Sequence, residues 1–287
     1  MPQSWRVVAR DHADKLGEGL MWSPRRQILF WVDIIAPALR AYDPTSNRVQ
    51  SWEMPEKIGW VIERQNRDDF IIGLKSGFAH LALEPFQIAH IGAPEADRPG
   101  NRLNDAKADH AGRIWAGSKH DADEAATGAL YRLDPNFIWS RHDDGYEVAN
   151  GPTFSPDGST IYHTDSGTRS VYAFDLGPDG NLTNKRLFVK FRDDWGYPDG
   201  MTTDITGALW IAHWGGGRVS RFLSDGSFDR SVALPASQIS NCVFAGKDLD
   251  RMFVTSAANG VTGEPLAGAL FEIDPQIKGL PQHSFGG

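Results

Sequence analysis

Short runs of apolar β-forming residues alternate with polar turns along the whole chain, and this alternation repeats at a regular spacing. Runs that follow a polar turn begin at Ile28, Phe70, Ile114, Ile161, Leu209 and Met252, which are 42, 44, 47, 48 and 43 residues apart. Units of about 40 to 50 residues, each with four short strands, are typical of a β-propeller. The spacing therefore predicts six such units.

A second strand recurs within the units and supports this interpretation. It occupies residues 39–44, 129–135, 171–175, 218–222 and 270–275, where apolar and polar residues alternate. Alternation with a period of two predicts strands with one buried face. Since no long helical period and no shift in composition interrupts the series, we predict an all-β fold, a six-bladed β-propeller in which residues 1–287 form a single domain.

Composition and charge exclude several classes of protein. Hydrophobic residues make up 40% of the chain and aromatic residues 11%, which indicates a globular fold. The net charge of -8 and the absence of a Lys/Arg block argue against nucleic acid or a membrane surface as partners. A single cysteine, Cys242, cannot form an internal disulfide, and residues 1–10 lack the apolar core of a signal peptide. We expect a cytoplasmic protein that does not span a membrane.

Four runs, three of them rich in glycine or proline, place oxygen-bearing or cationic side chains in predicted turns. They are Gly17-Glu18-Gly19, Arg102-Leu103-Asn104-Asp105, Asn150-Gly151-Pro152 and Pro198-Asp199-Gly200-Met201. Taken singly, each is more typical of a solvated turn, but a closed ring of repeats would bring all four to one centre. Glu18, Asn150 and Asp199 would then offer only oxygen, which suits hard divalent cations.

The joint pattern resembles the senescence marker protein 30/gluconolactonase/luciferin-regenerating enzyme family, most closely its bacterial sugar-acid lactonases. Besides the Gly-Glu-Gly and Pro-Asp-Gly-Met runs, the family's Arg-x-Asn-Asp-Gly-Lys appears as residues 102–107, with Ala106 in place of the usual glycine. Asn150-Gly151 precedes Ser-Pro-Asp-Gly at 155–158, and residues 214–219 are similar to a late blade of the family. The resemblance covers nearly the whole chain.

The resemblance implies one catalytic divalent cation at the mouth of the central channel, bound by Glu18, Asn150 and Asp199. Arg102 and Asn104 would contact the substrate, a small sugar lactone. Many relatives add a glutamate from the following loop, here 118–124, and we leave open which of His120, Asp121 and Glu124 takes this role. The ion, which could be Ca²⁺, Mn²⁺, Mg²⁺, Zn²⁺ or Fe²⁺, is also left open, and we expect a monomer or weak homo-oligomer.

Lactone hydrolysis needs a polarised carbonyl and a nucleophilic water, and a bound cation promotes both. Asp199 is our candidate general base. His163 and His213 occupy matching places in two units, which indicates packing positions rather than metal ligands. Two rival functions are considered: a non-catalytic propeller that binds a protein or calcium, and an esterase similar to organophosphatases or paraoxonases.

Overall fold

The apolar runs form strands that pair into six antiparallel sheets of four strands each in the computed structural model, which describes residues 5–287. Residues 1–4 lie outside the described residues. They belong to the segment 1–10, in which no signal peptide is predicted. Within 5–287 the helical structure is a short 3-10 helix, Asp193–Trp195. No helix in this range has the length and apolar character that crossing a bilayer requires. The predicted six-bladed β-propeller is confirmed.

The strands follow one another in chain order within each sheet, apart from β1 (Trp5–Val7), which joins the last sheet. Blade 1 contains β2 (Gly17–Ser23), β3 (Ile28–Asp33), β4 (Ala38–Asp43) and β5 (Arg48–Glu53). Blade 2 contains β6 (Ile58–Glu63), β7 (Phe70–Leu74), β8 (Gly77–Leu83) and β9 (Phe86–Gly92). Blade 3 contains β10 (Asn101–Ala108), β11 (Ile114–His120), β12 (Gly128–Leu133) and β13 (Trp139–Tyr146).

The second half of the chain repeats this arrangement. Blade 4 contains β14 (Ala149–Phe154), β15 (Thr160–Asp165), β16 (Ser170–Leu176) and β17 (Leu182–Lys190). Blade 5 contains β18 (Tyr197–Thr203), β19 (Leu209–Trp214), β20 (Arg218–Phe222) and β21 (Phe228–Ala233). Blade 6 contains β22 (Ile239–Ala245), β23 (Arg251–Ser256) and β24 (Phe271–Ile273), with β1 as its fourth strand. The apolar runs predicted from the sequence are the second strands of the blades.

The first strands of the blades line the central channel. β2, β6, β10, β14, β18 and β22 each contact the next in this order, and β22 contacts β2. The ring is closed in blade 6, where β1 pairs antiparallel with β24 through Trp5 and Ile273, Arg6 and Glu272, and Val7 and Phe271. The start of the chain therefore completes a sheet whose other three strands come from its last fifty residues.

The hydrophobic core lies between the blades, since each apolar cluster joins two neighbours. Between blades 1 and 2, for example, the rings of Phe30 and Phe70 pack with centroids 5.1 Å apart. Five further clusters fill the other junctions, including the one between blades 6 and 1 that contains Trp22 and Phe253. Complete burial of such side chains contributes about 1.5–3 kcal/mol each.

A buried aspartate, tryptophan and arginine recur together in three blades. In blade 5, Asp204 accepts hydrogen bonds from Trp210 Nε1 at 3.1 Å and from Arg221 Nε at 2.8 Å. Similar groups are formed by Asp14, Trp31 and Arg40 in blade 1, where the aspartate precedes the first strand, and by Asp109, Trp115 and Arg113 in blade 3, where the arginine precedes the second strand. Each aspartate satisfies an indole N–H that would otherwise be buried without a partner.

The end of the chain crosses the channel where the first strands end. Gln282 Oε1 accepts a hydrogen bond of 2.8 Å from the Trp22 backbone N–H, and His283 pairs with Ala108. Phe285 is completely buried in the cluster between blades 2 and 3. This segment thereby covers one end of the channel, and the other end holds the predicted site residues.

Candidate metal centre and active site

The first strand of every blade has an irregularity in its pairing with the second strand. The register shifts between Glu18 and Met21 in β2 and between Asn150 and Thr153 in β14, and equivalent shifts occur in β6, β10, β18 and β22. A β-bulge of this kind redirects a side chain out of the regular alternation. Gly19, at φ +58°, and Gly151, at φ +69°, supply left-handed backbone that glycine adopts without strain.

The prediction that these residues lie in turns is therefore wrong. Glu18, Asn104, Asn150 and Asp199 all lie within channel-lining strands, near the start of each. The glycine and proline residues of three of these runs lie at the bulges and not in a connection between strands, and both settings give the same pattern in the sequence. The predicted convergence on one centre does not depend on this distinction.

A cavity of about 460 Å³ opens at the end of the channel where the first strands begin. Its lining includes Glu18, Asn150 and Asp199, the three predicted metal ligands, and Arg102, Asn104 and Asp121, three of the residues predicted to contact the substrate. All except Asp121 are buried. The structure thus brings six of the predicted site residues to one cavity.

Three carboxyl groups stand close together at the base of this cavity. Burial, followed by the charges of Asp199 and Asp105, raises the pKa of Glu18 well above its usual value. Burial and the charge of Asp105 likewise raise the pKa of Asp199, while burial raises the pKa of Asp105 to about 6. The Oδ1 atom of Asp199 is buried and has no hydrogen-bond partner among the described residues. A cation here would satisfy this oxygen and favour the ionised carboxylates.

The amide of Asn150 is held in one orientation by a chain of hydrogen bonds. Arg102 Nη1 donates to Asn104 Oδ1 at 2.6 Å, and Asn104 Nδ2 donates to Asn150 Oδ1 at 2.7 Å. Asn150 Nδ2 in turn donates to Ser166 Oγ at 2.9 Å, and Ser166 Oγ donates to the Pro198 carbonyl at 2.5 Å. Because Oδ1 has two lone pairs, one stays available to a cation.

These donors fit a hard divalent cation. Within residues 5–287, no group of three or more His, Cys, Asp or Glu side chains is arranged as a metal site. A cation bound here would combine the amide oxygen of Asn150 with the carboxylates of Glu18 and Asp199, which line the same cavity. Oxygen ligands of this kind suit Ca²⁺, Mg²⁺ or Mn²⁺.

Asp121 stands on the wall of the cavity beside Arg102. It accepts hydrogen bonds from Lys57 Nζ at 2.7 Å and Lys75 Nζ at 2.8 Å, and Arg102 Nε lies 3.2 Å from its Oδ1. Although burial acts to raise its pKa, these hydrogen bonds and the arginine charge outweigh burial and lower the pKa of Asp121 to about 2. Asp121 is thus an ionised group that holds three cations at the cavity.

His120 and Glu124, the other candidates of the 118–124 loop, lie elsewhere. His120 Nδ1 lies 3.3 Å from the Glu124 backbone N–H, and its ring packs against Gly100. Neither residue is among the described residues that line the cavity. His163 and His213 are also buried away from the cavity, where His163 packs against Tyr146 and His213 against Phe191.

Several residues at the site have no signal in the short motifs. Asn241, in β22, donates from Nδ2 to Glu18 Oε2 at 2.8 Å and to Asp105 Oδ2 at 3.3 Å. Its place in the repeat, at the bulge of a first strand, could have identified it. Lys57, Lys119 and Ser166 also line the cavity. Ser166 lies in the turn after β15, where no sequence pattern distinguishes it.

Comparison with known proteins places this geometry in a family. Residues 16–258 match the family described as SMP-30/Gluconolactonase/LRE-like region. The chain belongs to this family. The SMP-30/gluconolactonase/LRE-like match includes β2 to β23, and therefore all of the site residues named above. β1 and β24, which complete blade 6, lie outside it.

Individual members of the SMP-30/gluconolactonase/LRE-like family align over almost the full chain. Regucalcin of Gallus gallus is 34% identical over 286 residues, which are 95% of each chain. L-arabinolactonase of Azospirillum brasilense is 33% identical over 294 residues, covering 100% of this chain and 97% of the relative. The crystal structure of a calcium-binding protein, regucalcin, from Agrobacterium tumefaciens superposes with a TM-score of 0.92 at 25% identity, covering 98% of this chain and 96% of that one.

Proposed function

We propose that the protein hydrolyses the ester bond of a sugar lactone to give the open-chain sugar acid, with one divalent cation bound by Glu18, Asn150 and Asp199. The observation that carries the proposal is the unpaired, buried Oδ1 of Asp199, in the same cavity as Arg102 and Asn104. The similarity to a relative named L-arabinolactonase supports the reaction class, and the calcium-binding regucalcin supports a cation.

When bound, a divalent cation would polarise the ester carbonyl and acidify a water molecule. Arg102 borders the same space and is held by Asn104 and Asp121, so its remaining donors can bind substrate oxygens. The fixed orientation of this guanidinium lowers the entropy cost of positioning the lactone. Negative charge that develops on the carbonyl oxygen would be stabilised by the same arginine.

Asp199 would act as the general base. Its carboxylate takes a proton from the water as the water oxygen bonds to the carbonyl carbon, and the bond between this carbon and the ring oxygen then breaks. The ring oxygen receives a proton and becomes a hydroxyl, so one water is consumed and no oxidant or reductant is needed. General-base catalysis of this kind contributes about 10²–10⁴-fold to the rate.

The variant Asp199→Asn tests the role of this carboxylate. It retains an oxygen for the ion but removes the base, so we expect kcat with saturating metal to fall at least about 100-fold. Asp194→Asn is the control, since Asp194 is an exposed aspartate in the nearby 3-10 helix. Lactone opening is followed by acid release, with spontaneous opening subtracted. A rate near that of the wild type would assign water activation to another group.

A metal and substrate panel separates the proposal from the rival functions. Chelated protein is assayed with each divalent ion restored against xylono-, arabinono-, galactono-, fucono-, rhamnono- and gluconolactones. We expect chelation to abolish turnover and leave the propeller folded, because its core does not involve the site. Metal binding without lactone opening would indicate a non-catalytic propeller, and a preference for aryl esters or phosphotriesters would indicate the esterase alternative.

A further inference from the structure

One wall of the cavity carries more positive than negative charge. Three cations that line it, Lys57, Arg102 and Lys119, and a fourth beside it, Lys75, surround two carboxylates, Asp121 and Asp123. Asp121 pairs with Lys57, Lys75 and Arg102, and Asp123 pairs with Lys119. Even when both carboxylates are ionised, the three cations that line the cavity exceed them by one positive charge, and Lys75 adds another beside it.

Lys119 is the cation on this wall that best fits a binding role. Its side chain is only 8% exposed, it lines the cavity, and its Nζ pairs with Asp123, whose side chain is 56% exposed. An ammonium group is costly to bury with one solvated partner. Lys119 also lies next to Arg102, and the repulsion between two buried cations adds to that cost.

Neighbouring carboxylates do not balance this charge. Glu56, next to Lys57 in the chain, accepts a hydrogen bond from the Ser76 backbone N–H at 2.9 Å and is not among the described residues that line the cavity. Glu18 and Asp199 lie at the base of the cavity, where the proposed function assigns them to the cation. Once they bind a divalent ion, their charge is no longer available to Lys119.

We propose that the lactone carries an anionic substituent, namely a carboxylate, sulfonate or phosphate remote from the ring carbonyl, and that Lys119 with Lys57 recognises it. This inference rests on the proposed function, since it concerns the substrate of the same site. The lactone carbonyl would lie towards Asp199 and the anionic group towards the wall. Lys119 is then a specificity-determining residue.

The test compares gluconolactone with its counterparts that carry a carboxylate, sulfonate or phosphate at carbon 6. For each, kcat/KM is measured with the wild type, with Lys119→Met and with the control Lys247→Met, which removes an exposed lysine outside the cavity. We expect the wild type to prefer at least one anionic lactone. Lys119→Met should lower the ratio of anionic to neutral kcat/KM about tenfold, because a hydrogen bond between charged groups is lost. Lys247→Met should leave the ratio unchanged.

Two outcomes would overturn the inference. The first is a wild type without preference for any anionic lactone. The second is an equal loss on neutral and anionic lactones in Lys119→Met, which would mean that Lys119 only balances the carboxylates of the site. The three anionic lactones identify which group is preferred, and added salt should weaken a genuine preference.

Calorimetric binding of the open-chain acids distinguishes this inference from the proposed function. Gluconate carries one carboxylate and its 6-carboxylate counterpart carries two, and neither requires turnover. Tighter binding of the dicarboxylate that depends on Lys119, in a protein that opens no lactone, would support the inference and contradict the proposed function. Turnover of neutral lactones, together with equal binding of both acids, would support the proposed function and contradict the inference.

Discussion

Asp121 and Asp199 face the same cavity, but their surroundings affect their ionisation in opposite directions. Asp121 is surrounded by three cations, which lower its pKa to about 2. Burial, followed by the charge of Asp105, raises the pKa of Asp199. The wall around Asp121 is therefore ionised, whereas burial at the base of the cavity opposes ionisation of Asp199.

The lowered pKa of Asp121 predicts a pH-dependent contribution to stability. An unfolded aspartate titrates near pH 4, so the contribution is complete above that pH and is lost as the pH falls towards about 2. We expect Asp121→Asn to be less stable than the wild type at pH 7, because three cations lose their counter-charge. The difference should shrink between pH 4 and pH 2, where Asp121 becomes neutral in the wild type.

Urea unfolding of both proteins at a series of pH values measures this difference. A stability gap that stays constant from pH 7 to pH 3 would mean that Asp121 contributes by packing and not by charge. Since several other groups titrate in the same range, the informative quantity is the gap between the two proteins and not either curve alone.

The short motifs identified the residues whose chemistry is local, and missed those whose role depends on distant contacts. Glu18, Asn150 and Asp199 have glycine or proline neighbours that marked them. Asn241 contacts Glu18 across 223 positions of sequence, and only its place in the repeat, not a short motif around it, could have indicated this. Ser166 likewise acts through Asn150. Residues that act by contacting another site residue can be recognised only when it is known which blades lie next to each other in the fold. A single sequence does not give these contacts.

At the scale of elements, a buried aspartate in each of blades 1, 3 and 5 accepts a hydrogen bond from a tryptophan in the second strand and so links this strand to neighbouring segments. In blade 5, Asp204 also accepts a hydrogen bond from the Thr206 backbone N–H at 2.9 Å and thereby orders the turn before β19. Burial opposes ionisation of this carboxyl, but the hydrogen bonds, that of Arg221 first among them, lower its pKa. The group is thus kept as a carboxylate in the folded protein.

Asp204→Ala should be strongly destabilising. It removes the partner of the Trp210 indole N–H and one of the two carboxylates that pair with Arg221, whose side chain is only 8% exposed. Breaking a buried ion pair by removing one partner costs about 3–5 kcal/mol. We expect a loss at the lower end, because Asp229 remains. Thermal unfolding measures it, and Asp248→Ala, at an exposed ion pair, should change little.

At the scale of the whole molecule, the repeat spacing predicted the number of blades but not the way the ring closes. β1 is three residues long, too short for a pattern of alternation to be recognised, and its partner β24 lies at the opposite end of the chain. Six apolar clusters connect each blade to the next. We propose on this basis that residues 1–287 form one folding unit.

One folding unit should unfold in a single transition. We expect the melting curves from tryptophan fluorescence and far-ultraviolet circular dichroism to coincide. A variant that lacks residues 1–8 should melt at least about 5 °C lower, because Phe271 and Ile273 lose their strand partners and the ring is held by three strands in blade 6. Two separated transitions in the full chain would show that groups of blades unfold independently.

The division of the cavity between strands and connections has a consequence for how this protein can change. The oxygen donors project from channel-lining strands, whose bulges are fixed by contact with both neighbouring blades. The charged wall comes from Lys57 before β6, Arg102 in β10, and the end of β11 with the loop that follows it, and Lys75 in the turn after β7 lies beside it. Substitutions at positions 57, 75, 119 and 123 leave the oxygen donors and the partners of Arg102 unchanged, so we expect new substrates to be acquired by exchanging a few residues there. Directed evolution of the enzyme would therefore begin with a library at positions 57, 75, 119 and 123.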